Sequence, residues 1–202
     1  MRKSIELAQE LGAFVVVHHL PARFGALWVQ SPGRLFYVPT PQNPEAGYRR
    51  WLETDYAKFQ EKTRVKLCIE NMPAFRRFGR RWNPWHWNTL EQIRRFGTIT
   101  LDTTHLGTWG LDPIAVYEQL NGQVTHVHLS NFDGREHLRP ESGNLQLDRF
   151  VAHISADGYQ GAITLELHPE ALDAGEADQV IIHNMARSLQ ICQQWMRRDT
   201  SR

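Results

Sequence analysis

Five short apolar runs constrain the fold more than any other feature of this chain. They are AFVVVHH at 13–19, VKLCIE at 65–70, TITLD at 98–102, VTHVHL at 124–129 and AITLEL at 162–167. Most are rich in β-branched residues, and they read as strands buried on both faces. Helical spacing fills the intervals. Ile5, Leu7, Ala8 and Leu11 mark a helix over 3–11, closed by Gly12 as its C-cap. Further helices are predicted over 46–62, 88–96, 112–120 (with Pro113 in the first turn), 146–156 and 178–197. Residues 20–45, dense in Pro and Gly, read as a long loop. Strands alternating with helices imply a parallel sheet covered by helices, as an open doubly wound sheet or a barrel. No Gly-rich phosphate loop follows any run, so the best sign of a Rossmann-type site is missing.

The 202 residues are 41% hydrophobic and 22% charged, which suits one globular domain over 1–202 with a sizeable core. A net charge of +1 gives no global pull towards nucleic acid or membrane. Cys68 and Cys192 sit in apolar or helical patterns and read as buried thiols, consistent with a cytoplasmic protein. No apolar stretch approaches the roughly 20 residues that cross a bilayer. The opening Met1-Arg2-Lys3 leads into a helix rather than a signal peptide.

Each run ends in a residue able to bind a metal: His18, Glu70, Asp102, His128 and Glu166. In a parallel sheet these ends share one side, and in a barrel they converge on one axis. A lone histidine there is well explained as a hydrogen-bonded rim residue, and a lone aspartate as the cap of the next helix. The set is harder to explain that way. Glu, Asp, His and Glu recur at about one βα unit, roughly 30 residues in a barrel of about 250.

The segments IENMP, LDTTHLG, HVHLSN and GYQGAITLELHP, with the opening ELAQELGAFVVVHH, resemble the xylose isomerase-like barrel superfamily. That group includes sugar-phosphate isomerases and epimerases and apurinic endonucleases of the endonuclease IV type. The resemblance runs from about residue 3 to 195 and implies an α/β fold of the (β/α)8 TIM-barrel type. It implies one divalent ion (Mn²⁺, Co²⁺, Mg²⁺ or Zn²⁺) held by Glu70, Asp102, His128 and Glu166. Glu70 and Glu166 would be the catalytic pair, exchanging a proton of a carbohydrate-like substrate through an enediolate. His18, His105 and His137 match positions that contact substrate or further metals. Arg135, close after His128, would neutralise an anionic substrate group.

Departures from the pattern matter too. Endonucleases carry an aspartate where Arg135 stands, two residues before His137, and Asn131 replaces another usual aspartate. Gly143 is kept in ESGN. Three-metal phosphodiester chemistry is therefore poorly matched, whereas an isomerase keeps all four ligands. The chain also starts with the helix before the third family strand, so two βα units are missing, and no eighth strand follows Glu166. A partial barrel with an open edge is expected: either the natural protein starts upstream, or another chain such as a second copy covers the gap, or the fold is a degraded remnant. The alternatives are a non-catalytic remnant, an endonuclease IV-type zinc enzyme, and a lyase or dehydratase on the same scaffold.

RRFGRRWNPWHWN, at 76–88, follows Glu70 closely and belongs to the same face. Its arginines suit a phosphate or carboxylate, and its mixed basic and aromatic character suits single-stranded nucleic acid. It also suits a lid over apolar surface. No nucleic-acid partner is expected from the whole chain. His126 shares strand parity with His128 and would point inward one layer below it.

Overall fold

A computed structural model of the protein describes residues 2–31, 34–40, 45–120 and 122–197, with the side chains of residues 2, 26–31, 34–39 and 77 left out. The elements are α1 (Arg2–Glu10), β1 (Val15–His18), β2 (Gly25–Ser31), β3 (Arg34–Thr40), α2 (Ala46–Thr54), α3 (Tyr56–Lys62) and β4 (Lys66–Glu70). Then come β5 (Phe75–Arg77), β6 (Arg80–Trp82), α4 (Leu90–Ile93), β7 (Ile99–Asp102), α5 (Thr103–Trp109) and α6 (Pro113–Leu120). The last are β8 (Val124–Leu129), α7 (Leu147–Ala156), β9 (Ala162–Leu165) and α8 (Asp178–Arg197).

The five expected runs form one parallel sheet in the order β1-β4-β7-β8-β9. All five strand C-termini therefore lie at one end. The sheet is a half-barrel, with β1 and β9 as its edges among the described residues. Its helix-facing side carries Leu67, Ile69, Leu101, Val127 and Leu129, which join the helices in one core cluster. Helix α7 shows how the covering layer works. Leu147, Phe150, Val151 and Ile154 are fully buried at i, i+3, i+4 and i+7, so one stripe faces the core. Both cysteines are buried and free, as expected. No described helix is long and apolar enough to cross a membrane.

Two segments expected as loops contain strands. Within 20–45, β2 and β3 pair antiparallel from Gly25↔Thr40 to Ser31↔Arg34. Prolines and glycines drew the loop reading, but Trp, Val, Phe and Tyr between them favour extended backbone. Pro39 is tolerated because a two-stranded ribbon has only edge strands. Residues 32–33 and 41–44 of that segment lie outside the described ones. Within 76–88, β5 and β6 form a second hairpin, turned by Phe78 at φ 51 and Gly79 at φ 74. Positive φ at both central residues is what a type I′ turn requires. The 46–62 helix is also broken, into α2 and α3 at Asp55.

Candidate metal centre

Strand alternation decides which residues reach the concave side of the sheet. The register pairs Glu70 with Thr100, Thr100 with His126, Asp102 with His128, and His128 with Thr164. These residues share that side, and Glu166 rejoins it just after β9. Glu70, Asp102, His128 and Glu166 each place one ligand-type atom within 4.8 Å of the others. Glu70 is 1% exposed and Asp102 0%.

His128 Nδ1 is hydrogen-bonded to Glu70 Oε1 at 3.0 Å. The same nitrogen lies 2.5 Å from Glu166 Oε2 and 3.8 Å from Asp102 Oδ2. All three carboxylates have a buried oxygen: Glu70 Oε2 lies 3.0 Å from His19 Nε2 and Glu166 Oε2 2.5 Å from His128 Nδ1, whereas Asp102 Oδ2 makes no hydrogen bond among the described residues. Three carboxylates share His128 and His19 as their only nearby counter-charges among the described residues, and a divalent ion would balance them more fully. The donor set, three carboxylates and one imidazole, fits a divalent ion.

The protonation pattern reflects the crowding. Burial pushes Asp102 well above the usual carboxylate range, and the negative charge of Glu70 adds to this. Burial also works against an ionised Glu70, but His128 and His19 beside it hold it below that range. Contact with His128 likewise lowers Glu166. Burial disfavours a charged His128, yet Glu166 and Glu70 push it up to about 10.

The cluster is held by residues that do not themselves join it. Asp102 caps α5, accepting a hydrogen bond from the His105 backbone N–H at 2.8 Å through Oδ1, which leaves Oδ2 for a ligand. Asn71, 6% exposed, clamps the Asp102 backbone: its Nδ2 donates to Asp102 O at 3.0 Å and its Oδ1 accepts from Asp102 N at 2.8 Å. Thr103 and Thr104 on α5 bind Ser130 O and Asn131 O, both at 2.7 Å. Asn131 closes the following loop by donating to Pro140 O and Leu145 O and accepting from Leu145 N. Gly143 approaches it so closely that an added Cβ would lie 2.4 Å from Asn131 Oδ1. An asparagine, with donors and an acceptor on one side chain, suits this junction.

The other expected site residues divide. His105 is buried beside the cluster, its Nδ1 2.8 Å from Asn71 O and 3.6 Å from Glu70 Oε1. Burial lowers it to about 4, so it is neutral near pH 7. His137 packs edge-on to His105 at 5.5 Å, and Asp102, His105 and His137 form a second group with metal-ligand spacing. His18 does not join. It pairs with Ile69, so strand alternation turns it to the helix side, where its ring packs on Trp51 and Tyr56. His19, one residue on, instead brings Nε2 within 3.0 Å of Glu70 Oε2. Arg135 is also outside the cluster, exposed and paired with Asp133 at 2.7 Å. It does line a cavity of about 670 Å³ with Glu136, His137, His168 and Glu170. His126 lies beneath His128, ring centroids 4.8 Å apart, and is bonded to Thr164 Oγ1 at 2.9 Å.

Asn71, His19 and Thr104 were not singled out from sequence. The histidine doublet was a usable signal for His19, whereas nothing local marks the clamp made by Asn71.

Among solved structures, a D-psicose 3-epimerase with D-fructose superposes with a TM-score of 0.63 at 15% identity, over 96% of this chain and 68% of that one. A D-tagatose 3-epimerase-like protein gives 0.59 at 20% identity, over 96% and 68%. The IolI protein with a bound zinc atom gives 0.60 at 16% identity, over 96% and 68%. At such identities the likeness is one of fold. A search of curated protein sequences gives no match. The family model described as xylose isomerase-like TIM barrel matches residues 1–190. With five consecutive parallel strands and their helices inside that span, this chain belongs to the xylose isomerase-like TIM-barrel family.

Proposed function

We propose that the protein is a divalent-metal-dependent isomerase or epimerase acting on a sugar, sugar acid or related polyol. The observation that carries this reading is the convergence of Glu70, Asp102, His128 and Glu166, three carboxylates crowded round one imidazole, with Asp102 Oδ2 buried and without a hydrogen bond among the described residues. A bound cation supplies Lewis acidity to adjacent carbonyl and hydroxyl oxygens of a substrate. The chain supplies the proton chemistry. Glu70 on β4 and Glu166 after β9 reach the centre from opposite sides, separated in the sheet by β7 and β8. One takes the proton next to the carbonyl and the other returns it through an enediolate. Glu166 has a 45% exposed side chain and is the more accessible base, whereas Glu70 is enclosed. His105 must donate from Nδ1 to the Asn71 carbonyl, which leaves Nε2 to accept from a substrate hydroxyl. His137 joins this centre to the 670 Å³ cavity, where Arg135 and His168 would meet the far end of the substrate.

The test is solvent exchange. With metal loaded, a ketose incubated in D₂O is expected to gain deuterium at the carbon next to its carbonyl. No exchange across free ketoses, aldoses and sugar acids would remove the proposal. A second reading, closer to the endonucleases, is favoured by the Asp102, His105 and His137 group. It requires two or three metal ions per chain, whereas the isomerase requires one, and elemental analysis separates them. A protein that binds none is a non-catalytic remnant.

Metal loading should also release a proton. At pH 7 an imidazole pushed up to about 10 is protonated, and a cation at that nitrogen must displace the proton. Calorimetric titration with Zn²⁺ or Mn²⁺ in buffers of differing ionisation enthalpy should report net proton release, to which Asp102, also pushed up, would add. An enthalpy independent of buffer would contradict His128 as a ligand.

A further inference from the structure

The β5–β6 hairpin concentrates positive charge in an unfavourable arrangement. Its register sets Arg76 opposite Arg81 and Arg77 opposite Arg80. Like charges directly opposite across a ribbon destabilise it unless an anion intervenes. Arg76 and Arg80 are exposed and take part in no ion pair among the described residues, whereas Arg81 donates from Nε to Thr108 O at 2.9 Å at the end of α5. At the tip, Phe78 is 91% exposed in the left-handed region, which a bulky side chain rarely adopts.

The segment after β9 is the electrostatic complement. Glu170, Asp173, Glu176 and Asp178 are all exposed; Glu170 is paired with His168 and Asp173 Oδ2 accepts from Asn184 Nδ2, but no lysine or arginine pairs with the four among the described residues. Asp173, Ala174, Gly175, Glu176 and Val180 line a depression of about 450 Å³, acidic in part and apolar at Ala174 and Val180. Hairpin and depression follow the C-terminal ends of parallel strands, so both belong to the end that carries the metal centre. β4 and β9 stand three strand steps apart, about 14 Å along the sheet. Among the described residues no ion pair joins the two within one chain.

We propose that a second copy of this chain docks here. The hairpin of each copy places Phe78 in the depression of the other, and Arg76 and Arg80 meet its carboxylates. The exchange is reciprocal, so it forms a closed two-fold contact rather than a filament. It uses neither edge of the sheet. Because Glu170 also lines the 670 Å³ cavity, each hairpin would stand beside the other copy's candidate site. The proposal goes beyond the catalytic reading and does not depend on it.

Sedimentation of the full chain tests it. At low salt the mass should be twice 23.5 kDa, and it should fall to 23.5 kDa at about 1 M salt, where the Debye length is about 3 Å. Arg76→Glu with Arg80→Glu should give a monomer at low salt, as should Glu170→Arg with Glu176→Arg. An equimolar mixture of the two variants should dimerise again, since both reciprocal contacts regain opposite charge. Phe78→Ala, an exposed change that spares the charges, should weaken the dimer roughly tenfold or more. A wild type that is monomeric at low salt overturns the proposal. So does a dimer indifferent to salt and to both reversals, or a mixture that stays monomeric while each variant melts like wild type.

Discussion

Replacing Glu166 with glutamine is expected to lower turnover by about 10²–10⁴-fold and to reduce bound metal below one equivalent. The substitution keeps the side chain's length and one carbonyl oxygen but removes the charge and the basicity. Glu166 sits where both matter. It is the most exposed of the four clustered residues, and its Oε2 lies 2.5 Å from His128 Nδ1. A neutral amide cannot accept a proton from carbon and binds a hard cation less well than a carboxylate does. Folding should survive. Glu166 is half-exposed, and the loss of its pair with His128 is partly offset by relief of its repulsion with Asp102 and Glu70. The expected signature is therefore a variant that stays folded, melting close to or a little below the metal-free wild type, yet loses both exchange and metal. Retained solvent exchange with full metal content would show that Glu166 is neither base nor ligand. Loss of metal alone, with exchange restored at high metal concentration, would leave it as a ligand and move the base elsewhere.

The parts of this site that were legible in the sequence share one property: they depend on a period within a strand and on where that period stops. The runs ending at Glu70 and Asp102 name their candidate ligands because a carboxylate terminates an apolar stretch. His126 and His128 share a face because they are two residues apart. What failed depended on pairing with a distant strand. AFVVVHH offers two histidines, and only the register of β1 against β4, with His18 opposite Ile69, turns the first to the helices and the second to the site. The β2–β3 hairpin was hidden by its prolines. Helix α5 was hidden by shortness and by Thr103 and Thr104, poor helix formers whose hydroxyls are used on the neighbouring loop. Asp102 illustrates a false choice. A strand-end aspartate was weighed as a helix cap or as a ligand, and its two oxygens allow both.

Asn71 is where that long-range logic has its largest expected effect on stability. Asn71→Ala removes the partner of both the N–H and the C=O of Asp102, a residue with no exposed surface. Each buried backbone group left unpaired costs about 1–3 kcal/mol, so the total is roughly 2–6 kcal/mol. Against a whole-protein stability of about 5–15 kcal/mol that is a large fraction. At about 2–4 °C per kcal/mol for a chain of this length, Tm should fall by roughly 4–24 °C. Metal affinity should fall too, because Asp102 and the cap of α5 lose their anchor and His105 hangs from the carbonyl of residue 71. Asn71→Asp sharpens the test. It keeps an acceptor for Asp102 N but sets an oxygen against Asp102 O and adds a carboxylate beside Glu70. Burial there raises the new group's pKa above its unfolded value, so its penalty is full above the folded pKa and fades as pH drops through it. Protonation also restores a donor towards Asp102 O. The stability gap between Asn71→Asp and wild type, measured by urea unfolding, should therefore narrow on acidification, while the gap for Asn71→Ala should not. If both gaps are small and independent of pH, the clamp on Asp102 contributes little and the centre is held by α5 alone.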